Sequence, residues 1–173
     1  MSGYGEMPFG LRDVKVTNLG GTTQVDLPAG QRLNYKERLA TGELSGDDVI
    51  KTVVSSLQAI DWELEAGGIS LSAWALLTGR TPSETGTTPN RVLTMTASAG
   101  DVFPWVKIYG KSVGDGIDDV HVKFFKAKVT SLEGTFGENE FFITSCSGVA
   151  VDDGTNGILD VVQNETAAAL PAT

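Results

Sequence analysis

The segment "GKSVG" at residues 110–114 has the G-x-S-x-G spacing of a hydrolase nucleophile elbow. In that chemistry Ser112 would attack a carbonyl group, and His121, the single histidine of the chain, would accept the serine proton. An elbow requires a helix directly after the serine, whereas this segment runs into a Gly-Asp-Gly turn and another strand pattern. The same region fails as a phosphate-binding loop, because Trp105 stands where the first glycine of that loop is required. We therefore predict no catalytic residue here and expect that the protein is not an enzyme.

Carboxylates cluster at residues 46–48, 115–119 and 152–154, and carboxylate oxygens are the ligands that Ca²⁺ takes in flexible loops. None of these clusters has the D-x-[DN]-x-[DN]-G spacing with a later glutamate. The single cysteine, Cys146, excludes a multi-cysteine zinc cluster and is expected to be a small core or interface residue. We interpret the clusters as solvated turns and expect no metal and no other cofactor, with weak Ca²⁺ or Mg²⁺ binding as the alternative.

A third group of carboxylates lies in "AIDWELEAGG", where acidic and apolar residues alternate strictly. Alternation of this kind predicts a half-buried strand. Its acidic side carries Asp61, Glu63 and Glu65, and its apolar side carries Ile60, Trp62 and Leu64. A glycosidase pair is disfavoured, because such enzymes need an aromatic-lined cleft and Trp62 points away from the acids. The acids therefore form an ordinary solvated face, a face that binds a partner, or the wall of a passage.

The elements around these residues favour β structure. Twenty-one glycines and many Val, Thr and Phe residues are typical of strands joined by turns. After Gly67 and Gly68, a spacing of three and four predicts a helix at about 70–78 that packs through Leu71, Trp74 and Leu77. Strands are predicted near 11–17, 31–44, 49–65, 92–98, 102–112, 118–132, 139–152 and 158–163.

Turn and parity signals refine this pattern. "SGDD" at 45–48 predicts a hairpin, as does the Asn-Gly of "DDGTNG" at 152–157, and residues 80–90 read as an exposed loop. The apolar side of the 118–132 strand changes at Phe124, which predicts a bulge. We expect a mainly β fold, a β-sandwich or partial barrel with one short α-helix. It spans residues 11–164 between an N-terminal arm, 1–10, and a C-terminal arm, 165–173.

The net charge limits the classes of partner that the protein can be expected to bind. The chain has 173 residues and a formal charge of −9, so its field repels phosphates and tight nucleic-acid binding is not expected. No secretory leader and no run of roughly 18 to 20 apolar residues is found, so the sequence predicts a soluble cytoplasmic product without a membrane partner.

Three ordered motifs resemble the major tail protein, or tail tube protein, of long-tailed bacteriophages. They are an E-L-x-G-D-D turn, a W-x-L-E-x-G-G-[IL]-S run with its helix, and a late F-K-x-K…G-x-F…E-F-F run. The first two comprise Glu43, Leu44, Gly46, Asp47, Asp48, Trp62, Leu64, Glu65, Gly67, Gly68, Ile69 and Ser70. The resemblance covers most of residues 11–165.

This resemblance implies a β-sandwich whose hexameric rings stack into a hollow tube that delivers DNA from the virion tail. It implies self-association in the host cytoplasm, with tape measure, tail terminator and distal tail proteins as partners and genome DNA passing without specific binding. The 43–48 hairpin residues would contact neighbouring subunits, and Asp61, Glu63 and Glu65 would line the lumen. Two alternatives are the tube protein of a contractile injection or secretion system, and a ligand-binding β-sandwich module.

Overall fold

The computed structural model describes residues 9–27, 29–46, 49–68, 70–114 and 118–170. Within these ranges the chain forms ten β-strands and one α-helix, so the predicted mainly β class is confirmed. The elements are β1 (Phe9–Asn18), β2 (Gln24–Asp26), β3 (Gly30–Gly46), β4 (Val49–Gly67), α1 (Leu71–Thr78), β5 (Ser83–Thr85), β6 (Val92–Thr94), β7 (Trp105–Val113), β8 (Asp119–Thr135), β9 (Ile143–Ala150) and β10 (Leu159–Asn164). Asp47, Asp48, Ile69, residues 115–117 of the predicted 115–119 turn, residues 1–8 of the predicted N-terminal arm and residues 171–173 of the predicted C-terminal arm lie outside the described residues.

One large antiparallel sheet has the strand order β2-β1-β7-β8-β9-β4-β3, and β10 also pairs with β8. Strand β8 is long enough to serve two groups of neighbours. Its first half pairs with β7 and β10, and its second half pairs with β9. Between the halves the register shifts, so that Phe124 and Ala127 both face the core with two residues between them. The predicted bulge is therefore confirmed, and it lets β8 pass from one layer to the other.

Strand β3, at one end of this order, packs across β1 and β7, which lie near the other end. The sheet therefore folds over on itself into two layers. Glycines make the close approach possible: a Cβ atom on Gly30 would lie 2.8 Å from Val14, and one on Gly110 would lie 2.7 Å from Leu33. One layer thus contains β2, β1, β7, β10 and the first half of β8. The other contains the second half of β8 with β9, β4 and β3, which together give a β-sandwich or partial barrel.

The core lies between these layers and follows the alternation read from the sequence. Trp62 and Leu64 point inward from β4, and Cys146 is buried beside them as predicted. Gly148 of β9 faces the Trp62 indole, which leaves no room for a side chain at that position. Other fully buried members of the core are Val14, Val16, Ile60, Leu77, Val106, Ile108, Phe124, Ala127 and Ala150.

Helix α1 begins and ends with capping residues close to the predicted limits. The Ser70 hydroxyl accepts a hydrogen bond from the Ala73 N–H at 3.3 Å, and Gly79 adopts a left-handed φ of 74° after the last turn. Of the three predicted packing residues, Leu77 is fully buried, whereas Leu71 and Trp74 are partly buried. The Trp74 indole donates to the Thr144 hydroxyl at 3.3 Å, which ties the helix to β9.

Two turn predictions need correction. The 152–157 segment is not a tight hairpin, because β9 and β10 both pair with β8 and not with each other. Instead the Asp153 carboxylate accepts hydrogen bonds from the N–H groups of Thr155 and Asn156, which closes a connecting turn. The 80–90 segment is exposed as predicted, but its residues Ser83–Thr85 form a strand that pairs with β6.

Candidate functional site

The β3–β4 hairpin extends well beyond the rest of the sheet. Strand β9 covers β4 only from Ile60 to Gly67, whereas β3 and β4 remain paired from Leu39↔Leu57 to Gly46↔Val49. We call residues 39–46 and 49–57 the arm. Eight residues in β3 and nine in β4, at about 3.3 Å each, give the arm a length of roughly 26 to 30 Å. Because a two-stranded ribbon is at best marginally stable alone in water, such an arm is typical of a segment that is covered in an assembly.

The arm carries apolar side chains on both of its faces. Leu39, Val53 and Leu57 share one face by their register, and Leu44 and Val54 share the other. Seven aliphatic side chains of the arm are 45–64% exposed: Leu39, Leu44, Val49, Ile50, Val53, Val54 and Leu57. Strands with apolar residues on both faces are normally buried on both faces. The predicted contact residues Glu43, Leu44 and Gly46 all lie on this arm.

The backbone edges of the arm are equally exposed. Strand β3 is the last strand in the sheet order, and β4 has no β9 neighbour along the arm. Unpaired edges of this length are templates for pairing with another chain. Monomeric β proteins usually protect them with short edge strands, charges or proline. The arm is long and, within the part of it that the structure describes, has no proline.

A second apolar surface lies at the opposite end of the same layer. The β8–β9 connection, residues 136–142, follows Thr135 and precedes Ile143, which pairs with Gly67 at the end of β4 far from the arm. We call these residues the aromatic turn. Phe136 is 81% exposed and Phe141 is 94% exposed. The sequence pattern does not reveal this surface, because a turn followed by a strand start in "TFGENEFF" does not show which rings remain exposed.

Two rings of the aromatic turn contact each other, and one of them contacts helix α1. The ring centroids of Phe136 and Phe142 are 4.4 Å apart, and Phe142 lies 6.2 Å from the ring of Trp74 on helix α1. Asn139 takes a left-handed φ of 62° at the tip of the turn. Phe136 and Phe142 are thus held beside α1 through Trp74, and the two outermost rings, Phe136 and Phe141, are exposed and outside the core.

The predicted acidic row lies on the outer face of the sheet, but it is not a bare row of acids. Arg38 on β3 donates to the Asp61 carboxylate from two guanidinium nitrogens, and Arg32 lies 3.8 Å from Glu65. Glu63 is exposed between these pairs, and among the described residues it has no ion pair. The picture of a continuous carboxylate face is therefore corrected. Cross-strand partners, which single-strand alternation cannot show, neutralise two of the three acids.

Two of the three acids also border a shallow depression in this outer face. Asp61 and Glu63 line it together with Asn34 and Lys36 of β3 and Ser147 of β9, and its volume is about 240 Å³. Exposed ion pairs of this kind contribute about 0 to 1 kcal/mol each to stability. Their main effect is to fix where charge is presented on the surface.

Most lysines lie elsewhere, on the outer face of β1, β7 and β8. Trp105 lies partly buried on this face, with the ammonium groups of Lys126 and Lys128 over its ring at 5.3 and 5.2 Å. The remaining lysines of the face are Lys15, Lys107, Lys111 and Lys123. Lysines are thus concentrated on this face, where Lys15 lies 3.6 Å from Asp26 and Lys111 lies 2.9 Å from Asp119.

The interpretation of the acidic cluster at 115–119 as a solvated turn is wrong for Asp119. Its carboxylate is fully buried and accepts hydrogen bonds from the Asn164 amide at 2.6 Å and the Ala168 N–H at 2.7 Å. The Lys111 ammonium lies 2.9 Å away and the His121 ring nitrogen 3.1 Å away. Burial alone would raise the pKa of Asp119, but these four partners lower it below its ordinary value.

These contacts also place the described part of the predicted C-terminal arm. Residues 165–170 lie back across β7 and β8, where Lys111 donates to the Ala168 carbonyl and Leu170 is buried.

The hydrolase hypothesis receives no geometric support at this point. Ser112 donates to the Gly10 carbonyl at 2.8 Å, whereas His121 contacts Asp119 on the other face of the sheet.

Comparison with protein-family models gives no match, and comparison with curated proteins gives none either. Within the described ranges no group of three or more His, Cys, Asp or Glu side chains could hold a metal ion. The described part of the chain also contains no helix of the length and apolarity needed to cross a membrane.

Proposed function

We propose that this protein is a structural subunit that associates with copies of itself into the hollow tail tube of a long-tailed bacteriophage. The observation that carries the proposal is the arm, which exposes aliphatic side chains on both faces and unpaired backbone on both edges. A protein that stayed monomeric would keep these surfaces in water. The motif resemblance described above supplies the particular kind of assembly, in which hexameric rings stack and DNA passes through the lumen.

The fold supports open-ended growth. The arm and the remainder of the subunit are different surfaces, so a contact between them is heterologous and leaves the same two surfaces available on the outer copies. Such contacts produce rings when rotation closes them and filaments when translation repeats them. In this assignment the protein belongs to the virion tail, is assembled in the host cytoplasm, and meets tape measure, terminator and distal tail proteins at defined positions.

The outer face of β4 is the proposed wall of the passage. Asp61 and Glu65 engage Arg38 and Arg32, so these guanidinium groups are not available to bind phosphates. Glu63 adds a negative charge between them. A wall of this composition lets DNA pass without being held, and the acids act mainly by occupying the arginines.

Assembly is tested with the purified full-length chain by negative-stain electron microscopy and by light scattering over a range of concentrations. The wild type is expected to give rings or hollow tubes. A double variant with Val53→Asp and Val54→Asp places one charge on each face of the arm and should remain monomeric. Its circular dichroism should match that of the wild type, because neither side chain belongs to the core.

The matched control is Val102→Asp, which charges an 80% exposed valine outside the arm and should assemble normally. A wild-type chain that remains monomeric at high concentration would refute the proposal. Assembly of the double variant at the wild-type concentration would show that the arm is not the contact.

A further inference from the structure

The arm and the aromatic turn lie at opposite ends of one layer of strands. The arm includes residues 49–57 of β4, and the aromatic turn lies beyond Gly67, at the other end of the same strand. The part of β4 between them that pairs with β9 is eight residues long, or roughly 26 Å. A second copy displaced along the strand direction therefore brings its arm to the aromatic turn of the first.

The two surfaces also match in size. The seven exposed aliphatic side chains of the arm present a total apolar surface on the order of 600 Å². About half of this surface lies on each face, so one face offers roughly 300 Å². Phe136 and Phe141, at 81% and 94% exposure, offer roughly 350 Å² for aromatic rings of about 150–250 Å² each. The exposed surface of the turn thus fits one face of the arm and leaves the other face for a further contact.

We infer that the aromatic turn of one copy is the acceptor for the arm of the next copy. This inference rests on the proposed tube assembly and names the surface that the arm contacts. The occupant is a second copy of this chain, because the arm is an apolar surface of matching area that lies in the required direction at the other end of the same molecule.

The area of this contact also predicts its strength. About 650 Å² of apolar surface buried in total is below the roughly 1,200–2,000 Å² of a stable interface. A single arm on a single turn is therefore weak, and parallel contacts between rings hold by multivalency. Since burial of apolar surface drives the contact, sodium sulfate should strengthen it, whereas a contact driven by exposed ion pairs would weaken.

Cross-linking in assembled full-length protein tests the acceptor directly. Val53→Cys, or Val54→Cys for the opposite arm face, is mixed with Phe141→Cys and treated with a short bis-maleimide. Cys146 is buried and burial raises its thiol pKa to about 12, so it should not react. We expect mixed dimers that join the arm cysteine of one copy to the turn cysteine of another, at a yield several times that of the control pair with Val102→Cys.

A second variant separates this inference from the tube proposal. Phe141→Asp places a charge on a 94% exposed ring position, should fold normally, and should raise the concentration needed for assembly at least tenfold. Tubes that form normally from Phe141→Asp, with no arm-to-turn cross-link from either arm face, would refute the acceptor while leaving the tube proposal intact. Failure of the wild type to assemble would refute both.

Discussion

Replacing Asp119 with asparagine should destabilise the protein strongly, although the residue is in no predicted site. The variant keeps the side-chain volume and removes the charge. It also places an NH₂ group where carboxylate oxygens now accept from Asn164, from the Ala168 N–H and from the Lys111 ammonium. At least one of these donors must lose its partner in a fully buried position, and Lys111 loses its counter-ion.

The expected loss follows from this geometry. Removing one partner of a buried ion pair costs about 3–5 kcal/mol. The Lys111 side chain is still 17% exposed and keeps some hydration, so the lower end applies and we expect about 3 kcal/mol. For a chain of this length that corresponds to a fall in melting temperature of roughly 6–12 °C. Thermal and urea unfolding followed by circular dichroism measure the difference.

The loss should depend on pH in a defined direction. Because the folded state lowers the pKa of Asp119, ionised Asp119 stabilises the fold fully above the ordinary carboxyl pKa of about 4. This stabilisation is lost as the pH falls from there toward the lower pKa of the folded state. The difference between wild type and Asp119→Asn should therefore shrink by up to about 1.4 kcal/mol per pH unit below about pH 4.

The control is Asp160→Asn on the neighbouring strand β10, where the carboxylate is exposed and the change should be within about 0.5 kcal/mol. Hydrogen exchange adds a local readout, because the Ala168 N–H should lose its protection in Asp119→Asn. A melting temperature within 2 °C of the wild type, or a stability difference that is the same at pH 3 and pH 6, would refute the reasoning.

Three further predictions concern the core, the helix and the passage wall. Gly148→Ala should cost about 3 kcal/mol or more, because the new Cβ would lie 2.0 Å from the Lys128 carbonyl oxygen and 2.6 Å from the Trp62 ring; unfolding in urea measures it, and a loss below 1 kcal/mol would contradict it. Leu77→Ala should cost about 2–5 kcal/mol by opening a cavity under helix α1, whereas Leu76→Ala at the partly buried neighbouring position should cost less. Asp61→Asn should release Arg38 and make assembled tubes retain DNA at low salt, as measured by co-sedimentation with labelled duplex; equal retention by the wild type would contradict the role given to the acids.

Local signals account for most of the fold that the sequence predicts. The alternation around Trp62 separates core from surface within one strand, and the parity change at Phe124 requires only neighbouring residues to be seen. Helix α1 and its caps are also local, since Ser70 and Gly79 act within one turn of the helix ends. These features were predicted because the physical forces that produce them act over a few residues.

The features that the sequence does not predict depend on residues far apart in the chain. Asp119 looks like part of a polar turn until Ala168, 49 residues later, returns to cover it. Arg38 meets Asp61 across 23 residues, and β3 and β4 shift register directly after Arg38. The exposed rings of the aromatic turn cannot be identified from the local sequence, because their exposure depends on which other residues fill the core beneath them.

Strand β4 runs without interruption from the arm into the centre of the sandwich, and this has a mechanical consequence. A force that pulls the arm along the strand direction acts perpendicular to the hydrogen bonds between β4 and its neighbours. The eight register pairs that join β4 to β9 are then loaded together in shear, and they cannot open one after another as in a zipper. The bulge in β8 carries the same load into the second layer through the covalent backbone. The subunit is thus stiffest along the axis in which its arm points.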